Sequence, residues 1–217
     1  MRDAPNVDPR RLVEEGYDRL DEESLASLES ADHDALRARY TSVLLEGLPP
    51  GAKVLELGCG SGVPTARILA ERFEVTGVDL SARRIAMARK NVPRARFVHA
   101  DLSRLELPPG SVDGIAAFYA LFHIPRQDQP QLWRDMASWL RPGGLIVANL
   151  GPEPGEAAIE DFFGVPMFWS GYDSATNRRL IEQAGLRLLT AREETVVEVG
   201  EATTFMWVVA QKPDHEA

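Results

Sequence analysis

The stretch Val54-Leu55-Glu56-Leu57-Gly58-Cys59-Gly60-Ser61-Gly62 decides the architecture. A short apolar run meets a glycine cluster, and a helical pattern over 66–72 follows, which reads as strand, tight turn, helix. Outward from it the alternation repeats. Residues 73–78 read as a second strand, and Ser81 offers a side-chain cap to a helix through Asn91, with Ile85 and Ala88 on one face. Residues 97–100 and 112–118 are the third and fourth strands. Over 129–140, Leu132, Trp133, Met136, Trp139 and Leu140 make one wide apolar helical stripe. Pro142-Gly143-Gly144 then turns the chain into a fifth strand over 145–150. Strands alternating with helices predict βαβ units and a parallel sheet covered on both faces.

Upstream, the apolar spacing of Leu12, Val13, Tyr17, Leu20, Leu25 and Leu28 predicts an amphipathic helix over 8–28, weakened at Gly16. A second helix over 34–48 stops before Pro49-Pro50-Gly51. Downstream, residues 151–172 are rich in glycine, proline and aromatics and are too long for an ordinary connection. A helix over 174–184 ends at Gly185, and strand-like runs over 186–199 and 203–211, joined by Gly200-Glu201, predict a closing hairpin. The expected sheet is mixed, with about seven strands.

Composition bounds the function. The chain has 217 residues, 44% hydrophobic and 26% charged, with a net charge of −9. A domain of this size buries roughly 70% of its unfolded surface and needs no disulfide or metal staple. No apolar run approaches the roughly 18 residues of a membrane span. No apolar segment follows Met1-Arg2-Asp3, so a secretory signal is not expected and a cytoplasmic location is. Residues 1–36 carry eleven acidic side chains against four basic ones. Phosphate contacts need the opposite balance, so neither nucleic acid nor an anionic membrane is an expected partner. Cys59 is the only cysteine, which excludes an internal disulfide or CxxC pair.

In an open α/β sheet, ligands bind at the carboxyl ends of the strands where the topology reverses. The glycine spacing there is GxGxG. A dinucleotide fingerprint would need glycine or alanine where Val63 stands, and no Gly-Lys-Ser/Thr follows to make a phosphate loop. Asp79 closes the second strand, where a carboxylate can accept both hydroxyls of a ribose. Asp101 closes the third, where it can accept an exocyclic N–H while the Leu102 amide donates to a ring nitrogen. Glu56, two residues before the first glycine, could accept from a cationic amine. Together these groups suit an adenosine carrying an amino-acid tail.

The glycine stretch, Val75-Thr76-Gly77-Val78-Asp79, Ala100-Asp101-Leu102, Phe118-Tyr119-Ala120-Leu121-Phe122-His123-Ile124 and Leu140-Arg141-Pro142-Gly143-Gly144 resemble, in order and spacing, the motifs of class I S-adenosylmethionine-dependent methyltransferases. The resemblance is strong over residues 40–150. It implies an α/β, Rossmann-like, doubly wound mixed sheet of seven strands with the last strand antiparallel, here with an N-terminal helical cap. One methyltransferase domain would span 1–217: cap 1–48, cofactor-binding core 49–150, substrate lid 151–172, and C-terminal helix and hairpin 173–217. Carried over by position, Glu56 and the backbone of Gly58, Cys59, Gly60 and Gly62 would hold the methionyl end of S-adenosyl-L-methionine. Asp79 would hold the ribose, Leu80 would pack on adenine, Asp101 and Leu102 would read its edge, and the Phe118 carbonyl would take the methionyl amine. Cys59 reads otherwise as a small buried filler of the turn.

Methyl transfer from a sulfonium asks mainly for alignment of a nucleophile and exclusion of water. The segment after the fourth strand reads Ala117-Phe118-Tyr119-Ala120 and lacks the (Asn/Asp/Ser)-Pro-Pro-(Tyr/Phe) pattern of enzymes acting on base or amide nitrogens. The strand-end aspartate of metal-dependent catechol enzymes is missing too, so no metal is expected. Both absences point to a small-molecule acceptor. Methylation on O or N, no nucleic acid or membrane partner, and a monomeric or homodimeric state complete the expectation. His123 is the candidate general base, or it caps the helix beginning near Pro125 or packs over the cofactor; Tyr119 is a pocket wall or a second catalytic candidate. His99 reads as structural, and His33 and His215 as solvated. Phe162, Phe163, Met167, Phe168, Trp169 and Tyr172 crowd residues 151–172, either as a satellite core or as a lid over the sulfonium. On the lid reading, Tyr17, Phe168, Trp169 and Tyr172 would touch an acceptor with an apolar or aromatic body. Two other classes stay open: a dinucleotide-dependent oxidoreductase, disfavoured by Val63, and a catalytically silent cofactor-binding subunit, whose glycine motif would be degenerate.

Overall fold

The central strands form where side chains are apolar on both faces. Val54–Leu57 and Gly114–Ala117 are buried throughout, as a parallel sheet covered on both sides demands. The computed structural model describes residues 8–27, 31–198 and 200–214. One sheet holds seven strands: β1 (Lys53–Leu57), β2 (Glu74–Asp79), β3 (Arg96–His99), β4 (Val112–Ala117), β5 (Leu140–Leu150), β8 (Arg187–Glu198) and β9 (Glu201–Gln211). Their order is β3-β2-β1-β4-β5-β9-β8. Strands β1 to β5 pair in parallel, whereas β9 runs antiparallel to both neighbours. This is the expected doubly wound mixed sheet with its last strand antiparallel. Glu56 sits at the reversal point, opposite Gly77 of β2 and Ala116 of β4.

Three helices cover one face: α3 (Ala31–Gly47), α4 (Thr65–Leu69) and α5 (Ala82–Asn91), which bury Tyr40, Leu44, Leu69 and Ile85 against the sheet. On the other face, α6 (Gln129–Trp139) and α7 (Ser174–Gln183) contribute Trp133, Met136 and Ile181. The Ser81 hydroxyl caps α5, accepting from the Arg84 amide at 3.0 Å, as its position predicts. Pairing of β5 with β4 is interrupted between Leu140 and Leu145, so the Pro142-Gly143-Gly144 turn bulges out and the continuous ladder starts at Leu145. Among the described residues no helix is long and apolar enough to cross a membrane.

Two expectations change. The first helical pattern is two helices, α1 (Pro9–Arg19) and α2 (Glu22–Ser27), and the break is at Leu20, whose backbone is extended, rather than at Gly16. Gly16 lies inside α1 because the helix presses on the lid there. A Cβ at that position would come within 2.8 Å of Met167 Cε and 3.1 Å of the Pro166 carbonyl. The second change is the lid. Residues 151–172 are no long loop but an antiparallel hairpin, β6 (Gly155–Phe162) and β7 (Val165–Gly171), forming a separate two-stranded sheet. Its turn, Phe163-Gly164, has positive φ at both residues, 53° and 79°. Val165, Met167 and Phe168 of β7 pack with Val13 and Leu20 in a third, smaller core. The hairpin is thus a packed roof anchored to α1.

Candidate active site

Roof and sheet enclose a cavity of about 880 Å³, within the usual range for small-molecule sites. Its floor is the turn after β1. Gly58 has φ +72°, and a Cβ there would overlap the Cβ of Ala120, so the β1 and β4 loops can approach only through glycine. Asp79, at the end of β2, holds the floor: Oδ2 accepts from the Gly60 amide at 2.8 Å and Oδ1 from the Ser81 amide at 2.9 Å. Each oxygen keeps a second lone pair for a ligand hydroxyl. Burial raises the Asp79 carboxyl, and these two amides pull it back down. At Gly60 a Cβ would meet nothing within 4 Å, so the cradle is open towards the cavity.

Glu56 is 5% exposed, and its Oε2 has no hydrogen-bond partner. Burial pushes this carboxyl up to about 8; Arg37 opposes the rise and Asp79 adds to it. A buried acceptor without a donor is costly and calls for a cationic partner from a ligand. Cys59 packs its sulfur beside Gly77, and burial raises the thiol, which fits the filler reading. Leu80, Leu102 and Phe118 line the cavity as expected.

Asp101 also lines the cavity; one carboxylate oxygen is hydrogen-bonded, while the other is ion-paired but has no hydrogen-bond donor. Oδ1 accepts from the Ser103 amide and hydroxyl at 2.8 and 2.7 Å, and Oδ2 lies 2.9 Å from Arg10 Nε. Arg10 continues to Asp128 Oδ2 at 2.5 Å, so α1 is tied to the cavity rim beside Asp101. Farther along α1, Asp18 accepts from the Ser81 hydroxyl.

At the other end of the cavity stand His123 and Tyr17. His123 Nδ1 is 2.7 Å from the Phe168 carbonyl, which can only accept, so Nδ1 carries the proton. Nε2 is then the acceptor, and the Tyr17 hydroxyl donates to it at 2.9 Å. Burial pulls His123 down to about 4. Tyr119, in left-handed backbone with φ 56°, donates its amide to Asn149 Oδ1 at 2.6 Å. Its ring meets His33 and Phe205, each at 5.2 Å between centroids, and serves as a wall. Trp169 stacks on Phe122 at 5.1 Å and lies 4.5 Å from the His123 ring.

Four expectations are corrected. Gly62 does not face the cavity; a Cβ there would press on Phe97, Val92 and Ala88 at 3.2–3.3 Å, so it is needed for helix packing. Phe168 turns its ring into the core beneath α1 and offers the site only its carbonyl. Tyr172 lies outside the cavity, its hydroxyl donating to the Arg126 carbonyl at 3.1 Å. His33 is not solvated but 2% exposed, on the cavity wall. His99 keeps a structural role, Nε2 donating to the Leu80 carbonyl at 2.7 Å. His215 lies outside the described residues.

Sequence reading missed Arg10, His33, Arg37 and Asn149. The signal for two of them was helix phase. His33, Arg37, Tyr40 and Leu44 recur at helical spacing on the inward face of α3, while Asp32 and Asp34 point outward.

Comparison with known proteins agrees with this geometry. A family model described as a methyltransferase domain matches residues 54–144. The chain is 30% identical over 175 residues to 2-methyl-6-phytyl-1,4-hydroquinone methyltransferase of Synechocystis sp., covering 78% of this chain and 54% of that protein. It is 30% identical over 158 residues to phosphoethanolamine N-methyltransferase of Triticum aestivum, covering 68% of this chain and 30% of that one. The chain therefore spans between about a third and a half of the length of these curated relatives. In fold it resembles magnesium protoporphyrin IX methyltransferase of Synechocystis, solved with bound S-adenosylhomocysteine, at a TM-score of 0.74 and 15% identity over 94% of this chain and 100% of that one. The family model, the seven-stranded sheet and these relatives together mark residues 54–144 as a methyltransferase domain.

Proposed function

We propose that this chain transfers the methyl group of S-adenosylmethionine to an oxygen or nitrogen of a small, partly apolar metabolite. The family's cofactor fits the residues present: the orphaned Glu56 oxygen suits its ammonium, the open Gly60 cradle its tail, and the Asp79 carboxylate its ribose. When bound, that cofactor supplies an electrophilic methyl group on a sulfonium.

The observation that carries the acceptor half of the reading is the hydrogen-bonded chain Tyr17–His123–Phe168 carbonyl, roofed by Trp169. Its tautomer presents the Nε2 lone pair to the cavity through the Tyr17 hydroxyl. An acceptor O–H or N–H meeting this pair hands its proton to Nε2, directly or across the phenol, as the new bond to carbon forms. His123 held near 4 is a weak base. A weak base suffices for a hydroxyl acceptor, whose proton becomes strongly acidic once the oxygen carries the methyl group; a neutral amine acceptor attacks through its own lone pair and needs no base in that step. Tyr119, Phe122 and Trp169 supply an aromatic wall that favours a flat or apolar body and keeps water from the reacting atoms.

Methyl-labelled cofactor incubated with the protein and a cell extract tests this. The expected product is a small molecule, retained on a reversed-phase column, with label in an O–CH3 or N–CH3 group. Label confined to nucleic acid, protein or a new C–CH3 bond would overturn the reading.

A further inference from the structure

Asn149, near the end of β5, is completely buried, and its Nδ2 has no hydrogen-bond partner. A buried donor left unpaired costs stability, so packing does not explain an asparagine here. Its Oδ1 holds the Tyr119 amide at 2.6 Å. Tyr119 carries a second cost, because its φ of 56° lies in the left-handed region that residues with a Cβ seldom adopt. Two unfavourable features therefore meet at one hydrogen bond.

That bond fixes a peptide plane. The Tyr119 N–H and the Phe118 carbonyl belong to one trans peptide unit, so they point in opposite directions. Strand β4 lies between β1 and β5, and its ladder with β5 ends at Ala117 and Ala148. Beyond that point the Asn149 side chain takes over and holds the Tyr119 N–H on the β5 side. The Phe118 carbonyl is thereby turned to the β1 side, where Glu56 stands with an Oε2 that lacks a donor. Phe118 and Glu56 line the cavity, and Asn149 lies behind its wall.

We infer that Asn149 is a positioning residue for the cofactor's ammonium: gripping the Tyr119 amide from behind, it aims the Phe118 carbonyl to converge with Glu56. The inference rests on the proposed cofactor reading and adds a residue that never touches the ligand. An ammonium has three N–H donors, so a carboxylate alone leaves some of them unpaired in a buried site. A carbonyl already aimed at the same point satisfies one more without reorganisation on binding. The bond to Oδ1 also polarises the peptide and strengthens its carbonyl as an acceptor. Without Asn149 the peptide plane is free to turn, and Tyr119 can leave the left-handed region.

Titration calorimetry with two ligands tests this: S-adenosylhomocysteine, and its deaminated analogue with hydrogen in place of the ammonium. Asn149→Leu keeps the bulk and removes the acceptor. It should weaken S-adenosylhomocysteine about tenfold to a hundredfold, the range for a hydrogen bond to a charged group, and leave the analogue within about twofold. Asn149→Ser, whose hydroxyl is one bond too short to reach the amide, should show the same split and carries the test if Asn149→Leu does not fold. Equal weakening of both ligands would mark Asn149 as a support of the pocket and overturn the inference. Unchanged affinity for S-adenosylhomocysteine would overturn it as well. Failure of the wild-type protein to bind S-adenosylhomocysteine would instead sink the cofactor reading itself.

Discussion

Glu56 gives a quantitative handle on the cofactor end. Its carboxyl is raised to about 8 by burial, so at pH 7 it is roughly nine-tenths protonated in the free protein. An ammonium set against it favours the ionised form. Binding of S-adenosylhomocysteine at pH 7 should therefore release close to one proton, and affinity should rise by nearly tenfold between about pH 6 and pH 7 before flattening near 8. Calorimetry at pH 7 in buffers of different ionisation enthalpy reads the release directly, as the slope of observed heat against buffer heat. Glu56→Gln should bring that slope close to zero and remove the rise in affinity. The same shift acts on folding. The native carboxyl holds its proton between its ordinary value of 4.5 and about 8, whereas the unfolded chain has lost it, so stability falls as pH rises through that window. Denaturant midpoints at the two ends should show this fall in the wild type and a smaller one in Glu56→Gln. Proton release near zero in the wild type would refute both the buried state of Glu56 and its role as the amine acceptor.

Asp79→Ala should weaken S-adenosylhomocysteine at least about tenfold by calorimetry, since hydrogen bonds to a charged group contribute about 1.5–3 kcal/mol each. His123→Ala should lower kcat by about 10²–10⁴-fold with cofactor affinity retained, and Tyr17→Phe should lower it less. With both substrates saturating, the rate should show no histidine inflection near 6.5, because burial keeps His123 neutral until the pH approaches about 4. Trp169→Ala should raise the acceptor KM or lower kcat while cofactor affinity holds, and an unchanged KM and kcat with a large fall in melting temperature would remove Trp169 from the acceptor wall.

The sheet was legible because β1 and β2 each announce themselves twice, by an apolar run and by the glycine or aspartate that follows it. Val54–Leu57 followed by Gly58, and Val75–Val78 followed by Asp79, fix both strand and ligand edge. The lid hairpin was hidden for a local reason. Two-residue turns with positive φ ordinarily show Asn-Gly or Asp-Gly, whereas this one uses Phe163-Gly164. Its β6 strand is exposed along most of its length, so it shows no buried periodicity to read. Arg10 and Tyr17 reach the site only because α1 lies across the strand ends, a docking that the spacing of residues within α1 does not encode. Tyr172 and Phe168 were misassigned because aromatic density marks packing against something without saying what. In this lid most of it packs against α1.

The order of the strands has a consequence for how the chain folds. Val54 to Glu56 pair with Gly114 to Ala116, so the two walls of the ligand cleft meet only after a loop of about sixty residues closes. The rings of Phe205 and Trp207, both on β9, complete the wall around Tyr119 at 5.2 and 5.7 Å. A growing chain thus exposes the glycine turn long before the residues that shut it, and such distant pairings slow folding. The residues expected to hold the cofactor all lie on or just after β1 to β4, whereas the wall around Tyr119 is finished only when β9 slots between β5 and β8. Cofactor binding energy then adds to the stability of the whole sheet by mass action.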